Sequence, residues 1–183
     1  MREKIKVGGM VTVRVLDKDG NVKRNKPTFF RRMLHIGGKP LVSKHHNIVT
    51  RTGDALIADA LLLNPNKTKV SSASGFIQVG TGWTGNSTKL NTNCNTPTGA
   101  AEELDDNYPA LKAEWGSTGD TTVCYRATFE AGDLNANGIN EAALLNGSGA
   151  SAACLAYAQI TPSVNVTQAD TLQVVWEITI LGQ

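Results

Sequence analysis

The segment TLQVVWEITI, residues 171–180, alternates between two kinds of side chain with a period of two. One face carries Leu172, Val174, Trp176, Ile178 and Ile180, and the other carries Gln173, Val175, Glu177 and Thr179. Successive side chains of a strand point to opposite sides of the sheet, so this alternation is typical of a strand with one buried face. The segment therefore predicts a long β-strand, and Trp176 is predicted to be a structural anchor of the core.

Further short strands are predicted from residue 75 onward. They are GFIQVG (75–80), ALKAEW (110–115), TTVCYRATF (121–129), INEAALLN (139–146) and CLAYAQITP (154–162). Residues 81–107 are rich in Gly, Thr, Asn and Ser, which predicts a long loop or several turns. Short strands separated by turn-rich segments are typical of antiparallel sandwiches and barrel-like domains. We predict a mainly β fold, an antiparallel β-sandwich of the jelly-roll-like or Ig-like type.

One short α-helix is predicted in TRTGDALIADALLLNPN, residues 50–66. Thr52 or Asp54 can cap its start, and the Asn64-Pro65 pair ends it. Its apolar stripe consists of Leu56, Ala60 and Leu63. An amphipathic helix of this kind is expected to cover a face or an edge of the sheet.

The charge is distributed very unevenly along the chain. Residues 1–51 contain 13 Lys+Arg and 3 Asp+Glu, a net charge of +10, whereas residues 52–183 contain 5 and 13, a net charge of −8. We predict a basic N-terminal arm with a β-hairpin (GMVTVRVLDKDGNVKR) over residues 1–50, and a β-sandwich body over residues 51–183. A basic arm indicates contact with an acidic surface, which could be nucleic acid, another protein or the acidic body of a neighbouring copy. A solvated basic hairpin is the alternative.

Six residues of this region are predicted to bind a partner. They are Arg24, Lys26, Phe29, Phe30, Arg31 and Arg32. The two phenylalanines are expected to be anchors, either in the core or in a neighbouring subunit. The surrounding segment, residues 25–47, contains two prolines and the Gly37-Gly38 pair, which predict an irregular connection.

The stretch EAGDLNANGINEAALL, residues 130–145, resembles a calcium loop. The first, third, fifth and sixth places of that pattern are Asp133, Asn135, Asn137 and Gly138. The twelfth place needs a bidentate acid to close the coordination sphere, and here it is Leu144. Both flanks also alternate with a period of two, so we predict a strand, a turn at residues 135–138 and a second strand, with no metal.

The stretch GTGWTGNS, residues 80–87, has the spacing of a phosphate-binding P-loop. The lysine that should contact the phosphates is replaced by Asn86, and the following segment cannot form the helix whose dipole would face the loop. We therefore predict no nucleotide site. Gly80 and Gly82 are predicted to be structural residues that allow tight backbone turns at the end of a strand.

The remaining reactive residues form no recognisable site. His35, His45 and His46 are predicted to lie on the surface, since adjacent residues of a strand face opposite ways. The EELDD run at residues 102–106 is predicted to be solvated. No hydrolase or metalloprotease motif is present, so we predict a non-enzymatic chain without a cofactor or a metal ion.

The cysteines and the hydropathy bear on where the chain folds. Cys94, Cys124 and Cys154 are too few for a disulfide framework, so free thiols are predicted, with one disulfide formed after release from the cell as the alternative. No apolar run approaches the ~18 residues of a membrane helix, and no secretory signal is visible. We expect a soluble protein that folds in a cytoplasm and has no membrane partner.

Glu141 lies in an apolar strand segment and needs a partner. Burying an unpaired carboxylate costs several kcal/mol, which would oppose folding. Arg126, on the preceding predicted strand, is the nearest candidate along the chain. We predict that Glu141 and Arg126 form a structural pair.

Four segments resemble, in their order, a class of small virion proteins of tailed bacteriophages. They are HNIVTRTGDALIADALL, FIQVGTGWT, YRATFEAGDLNANGINEAALLN and AYAQITPSVNVTQADTLQVVWEITI, and together they span about residues 45–181. Two features depart from the class, namely Ala143 where a glycine is common and a longer loop that carries Cys94. The resemblance implies a non-enzymatic part of the virus particle.

Three functional hypotheses follow. The first is a capsid decoration (cement) protein, located in the virion after assembly in the host cytoplasm. It would bind the major capsid protein on the outside of the head, and copies of itself in a small oligomer such as a trimer. The alternative is a tail component, such as a tube, baseplate or fibre-attachment subunit. A nucleic-acid-binding protein is the second alternative, which the basic arm favours and the scarcity of interleaved aromatic residues disfavours.

Overall fold

The computed structural model describes residues 5–34, 36–85, 88–112 and 121–182. These residues form a mainly β chain. The elements are β1 Ile5–Leu16, α1 Phe29–Met33, β2 Val42–Val49, α2 Arg51–Ala60, β3 Phe76–Gly80, β4 Pro97–Glu103, β5 Ala110–Leu111, β6 Thr122–Phe129, β7 Ala136–Leu145, β8 Cys154–Val166 and β9 Thr171–Gly182. The predicted mainly β class is therefore confirmed.

All nine described strands belong to one antiparallel sheet, in the order β4-β3-β7-β8-β2-β1-β9-β6-β5. The sheet curls into a half-barrel. Its two ends approach each other where the backbone N–H of Asp105, just after β4, donates to the carbonyl of Arg126 in β6 at 2.8 Å. Two separate sheets of an Ig-like or jelly-roll-like sandwich are not confirmed, because β2 pairs with both β1 and β8 and so joins the two halves.

The N-terminal region is part of this sheet. β1 pairs with β9 along its whole length, from Ile5 to Leu16, and with β2 on its other side. An extended basic arm over residues 1–50 is therefore not confirmed. The predicted hairpin is reduced to a turn after Leu16 and an isolated bridge from Leu16 to Val22. The predicted boundary between residues 50 and 51 falls between β2 and α2.

The inner surface of the curled sheet forms the main core. Strands β1, β3, β6, β7, β8 and β9 contribute buried side chains to it, largely in the alternation that a strand requires. Buried examples are Tyr125, Ala127 and Phe129 in β6, and Leu172, Val174, Trp176 and Ile178 in β9. Trp176 is completely buried, whereas Ile180, near the end of β9, is 37% exposed.

Helix α2 packs on β8 through its first turn. Its N-cap is Thr50, whose hydroxyl oxygen accepts from the N–H of Gly53 at 3.0 Å and donates to the carbonyl of Cys154. The prediction of Thr52 or Asp54 as the cap is wrong, because Thr50 is the residue that reaches both the helix and β8. The helix ends at Ala60, so Leu63 lies outside it and is 95% exposed.

Several local expectations need correction. A second helix, α1, occurs where an irregular connection was predicted, and β4 occurs within the predicted loop 81–107. The turn expected at residues 135–138 lies earlier, at residues 130–133, and β7 already begins at Ala136. Of the predicted strand ALKAEW only Ala110–Leu111 is seen as β5, and residues 113–120 lie outside the described residues. No helix in the described ranges is long and apolar enough to cross a membrane.

Candidate functional site

The segment between β1 and β2 forms a lobe, residues 23–41, of which His35 is not described. A hydrogen-bonded stem holds it together. Asn25 N donates to Lys39 O at 2.9 Å, Leu41 N donates to Lys23 O at 2.7 Å, and Arg24 Nη1 donates to Gly38 O at 3.1 Å. Helix α1 follows the first half of the stem and has no buried residue. The lobe is therefore an ordered projection rather than an extended tail.

A buried carboxylate fixes the base of the lobe. Lys23 Nζ donates to both oxygens of Asp170 at 2.8 and 2.6 Å, and the backbone N–H and hydroxyl of Thr167 donate to Asp170 Oδ2. Burial by itself would raise the pKa of Asp170. The hydrogen bonds from Lys23 and Thr167 outweigh that effect and hold the pKa below its ordinary value.

Replacing Asp170 by asparagine is expected to lower the free energy of unfolding at pH 7 by about 1–3 kcal/mol, because hydrogen bonds to a charged group are lost. Since folding lowers the pKa of Asp170, its contribution is present above the ordinary carboxyl pKa of about 4 and is lost as the pH falls through the folded-state value. The difference between the two proteins should therefore shrink below about pH 4.

Urea unfolding of both proteins at neutral and acidic pH measures this difference. Asp106→Asn removes the same charge at an exposed position and is the control. A difference that is equally large at both pH values would contradict the assigned role of the Asp170 carboxylate.

The outer surface of the lobe is both basic and apolar. The lobe as a whole contains six Lys and Arg residues and no Asp or Glu, and all but Lys23, which binds Asp170 at the base, lack a carboxylate partner among the described residues. Its large apolar side chains are exposed, namely Phe29 (74%), Phe30 (74%), Met33, Leu34 and Ile36. Several large exposed apolar side chains on one short segment are typical of an interaction surface.

All six residues predicted to bind a partner lie in this lobe. They are Arg24, Lys26, Phe29, Phe30, Arg31 and Arg32. The rings of Phe29 and Phe30 contact each other edge to face, with centroids 6.4 Å apart, and neither ring enters the core. The expectation of a core anchor is therefore wrong. An anchor in a partner stays a prediction.

A second charged surface lies beside the terminal strand β4. We call Glu102, Glu103, Glu130 and Asp133 the acidic edge. The turn that holds Glu130 and Asp133 lies close to β4. The distance at Gly99 in β4 shows this, since a Cβ built there would lie 3.3 Å from the carbonyl oxygen of Asp133. Burial, followed by the negative charges of Asp133 and Glu103, raises the pKa of Glu102 above its ordinary value.

The EELDD run is only partly solvated, contrary to prediction. Glu103 and Asp106 are exposed, but Leu104 is buried and Asp105 forms an ion pair with Arg126 Nε. Asp105 Oδ2 also accepts from the hydroxyl of Thr128 at 2.9 Å. The carboxylate of Asp105 therefore joins the end of β4 to β6.

Arg126 binds Asp105 at this junction and does not pair with Glu141. Its guanidinium carbon lies 4.6 Å from the ring centroid of Tyr108, in addition to the ion pair with Asp105. The predicted Glu141–Arg126 pair is wrong. The two residues lie in strands that are not neighbours in the sheet, although these strands are consecutive in sequence.

Glu141 is completely buried, and four donors satisfy its carboxylate. Oε1 accepts from the N–H groups of Gly82 and Thr96, both at 2.9 Å. Oε2 accepts from the N–H of Asn95 at 2.9 Å and from the hydroxyl of Tyr157 at 2.5 Å. Three of the four donors belong to the segment between β3 and β4, so Glu141 fastens this segment to β7 and β8.

The P-loop-like stretch thus contacts an anion that belongs to the chain itself. Gly82 offers its backbone N–H to the Glu141 carboxylate, and a Cβ on Gly80 would lie 2.6 Å from Glu141 Oε1. A side chain at position 80 would displace the carboxylate. One glycine amide of the stretch therefore binds an anion, but that anion is a side chain of the same protein.

The fastened segment covers a second, smaller core on the outer face of the sheet. Its buried residues are Cys94, Ala143, Leu145, Cys154 and Tyr157. Burial raises the pKa of the Cys94 thiol well above its ordinary value, and the charge of Glu141 adds to the shift. Burial also raises the pKa of Cys154 to about 12, so both thiols are protonated at neutral pH and act as packing groups.

The other predicted reactive residues are dispersed. Cys94, Cys124 and Cys154 form no disulfide, as predicted. His45 and His46 lie on β2, and His35 lies outside the described residues. In the part of the chain that the structure describes, no three His, Cys, Asp or Glu side chains are grouped to hold a metal ion.

Comparisons with known proteins identify no relative. No protein-family model, no curated protein and no solved structure matches the chain.

Proposed function

We propose that the chain is a non-enzymatic structural protein of a tailed-bacteriophage particle. More specifically, we propose a capsid decoration (cement) protein. It would bind the outer surface of the head and neighbouring copies of itself, for example as a trimer. The lobe is the docking surface in this proposal. The observation that carries it is the concentration of six cations and five exposed apolar side chains on one ordered projection.

The lobe has the properties of a rigid attachment device. Its stem hydrogen bonds and the Lys23–Asp170 contact order it before a partner arrives, so less conformational entropy is lost on docking. Basic side chains can steer it towards an acidic surface, and the phenylalanines can then be buried. Buried polar groups elsewhere, such as Glu141 and Asp170, are occupied in holding the fold together.

The test is the binding of the purified chain to heads that lack it. Phe29→Ser/Phe30→Ser is expected to fold normally, because both side chains are exposed, and to bind heads at least about a hundredfold more weakly. Burying each phenylalanine contributes about 1.5–3 kcal/mol, and 1.4 kcal/mol corresponds to a factor of ten. Co-sedimentation with heads and cryo-electron microscopy of the decorated particle measure the effect.

Leu61→Ser/Leu63→Ser is the matched control. These leucines are 79% and 95% exposed but lie outside the lobe, so the control should bind heads like the unmodified chain. Equal binding by the phenylalanine variant would refute the role of the lobe. Binding to tails instead of heads would assign the chain to the tail, the alternative placement.

A further inference from the structure

Few of the positive charges of the lobe are paired with a carboxylate of the same chain among the described residues. Among the described residues the ion pairs are Lys23–Asp170, Lys89–Asp54, Lys112–Glu177 and Arg126–Asp105. Only Lys23 belongs to the lobe. Within that same part of the chain, Arg24, Lys26, Arg31, Arg32 and Lys39 therefore lack a carboxylate partner. Arg24 and Arg31 donate to lobe carbonyls instead.

The acidic edge shows the opposite imbalance. None of its four carboxylates takes part in the four ion pairs just named. Burial and the neighbouring negative charges both raise the pKa of Glu102. A carboxyl group whose pKa is raised by like charges would be stabilised in its ionised form by an approaching cation. The acidic edge also borders β4, which has a strand partner on one side only in the described sheet.

We propose that the lobe of one copy of this chain binds the acidic edge of a second copy. The inference rests on the proposed role of the lobe as a docking surface and names the partner of that surface. Counting only the residues that the structure describes, the contact would bring five cations without a carboxylate partner to four carboxylates without a cationic partner, which would largely neutralise both surfaces. The exposed side chains of Met33, Leu34 and Ile36 would be buried in the same contact.

The position of the two surfaces supports contact between copies. The base of the lobe is held by Asp170, and the next residue, Thr171, donates its hydroxyl to Glu130 Oε2 at 3.5 Å. Ala169 and Glu130 also line one shallow cavity. The lobe and the acidic edge therefore lie at the same end of the molecule, which lets each copy both give and receive a contact within a closed oligomer.

A polynucleotide explains the surfaces less well. Phosphates would pair with the cations, but the acidic edge at the same end would repel them. Leu34, Ile36 and Met33 also offer nothing to phosphate oxygens. A second copy uses the basic, apolar and acidic features together.

Charge exchange between two variants tests the proposal. The lobe variant is Lys26→Glu/Arg32→Glu, which leaves Arg31 and its bond to Gly37 O intact. The edge variant is Glu103→Lys/Glu130→Lys, at exposed positions. Sedimentation velocity of the full chain at about 100 μM and about 50 mM NaCl should show oligomers that dissociate as the salt rises to about 500 mM.

Each variant alone should self-associate at least tenfold more weakly, because the lobe variant lowers the charge of the lobe from +6 to +2 and the edge variant lowers that of the acidic edge from −4 to 0. An equimolar mixture of the two should recover association to within about threefold of the unmodified chain. The unmodified lobe of the edge variant (+6) then meets the unmodified acidic edge of the lobe variant (−4), and in the other contact the substituted positions carry opposite charges. Lys18→Glu/Lys44→Glu changes the net charge equally outside the lobe and should associate normally.

The outcomes separate this inference from the proposed function. A monomeric chain that still decorates heads would overturn the self-contact and leave the structural role intact. An oligomer that recovers on mixing but binds no head or tail would support the self-contact and refute the structural role. A chain that stays monomeric and binds duplex DNA at low salt would overturn the self-contact and assign the lobe to nucleic acid.

Discussion

Replacing Glu141 by glutamine is expected to lower the free energy of unfolding by about 2–4 kcal/mol. The two side chains have nearly the same shape, so packing is preserved and only the acceptors change. An amide nitrogen at the Oε2 position would face the N–H of Asn95, and at the Oε1 position it would face those of Gly82 and Thr96. In either orientation a buried donor loses its acceptor.

The loss of stability caused by Glu141→Gln should be largest in the segment between β3 and β4. Hydrogen exchange of the Gly82, Asn95 and Thr96 amides is expected to accelerate more than exchange in β9, since Glu141 holds the former group directly. Urea unfolding followed by circular dichroism gives the total effect.

Tyr157→Phe is the matched control for this prediction. It removes one of the four donors and leaves the three backbone donors in place. Burial, together with the hydrogen bond to Glu141, raises the pKa of Tyr157, so its hydroxyl donates at neutral pH. The control should cost about 1 kcal/mol. If Glu141→Gln is as stable as the unmodified chain, the carboxylate does not fasten the segment.

The sequence predicts the strands well where one face is apolar over many residues. β6 and β9 alternate without interruption, and their buried residues are the ones the period assigns to the inner face. It predicts the sheet topology poorly. Consecutive strands such as β6 and β7 are not neighbours, and such long-range pairing leaves no local pattern in the chain.

The difference between local patterns and long-range contacts also explains which site residues the sequence predicts. The basic and aromatic residues of the lobe are close in sequence, so composition alone brings them together. The partners of Glu141 come from positions 82, 95, 96 and 157, and no spacing rule connects them. The sequence signals only part of this site: Glu141 is an acid in an apolar strand and so needs donors, and the glycine-rich stretch supplies one of them, Gly82.

Replacing Trp176 by alanine is expected to have the largest effect on stability, a loss of about 3–5 kcal/mol. Trp176 is completely buried in β9, where it pairs with Val11 on one side and Tyr125 on the other, so its removal leaves a cavity between three strands. Folded domains have only about 5–15 kcal/mol of total stability, so a large share of it would be lost.

Trp176→Phe separates packing from hydrogen bonding at this position. Among the described residues, Trp176 Nε1 has no hydrogen-bond partner, so phenylalanine removes an unsatisfied donor together with part of the ring volume. Its cost should be about 1–2 kcal/mol, well below that of alanine. Urea unfolding of the three proteins under one condition measures both differences. Equal losses for phenylalanine and alanine would contradict this expectation, because a phenyl ring would then restore none of the packing that Trp176 provides. A loss below about 1 kcal/mol for alanine would mean that the half-barrel does not depend on Trp176.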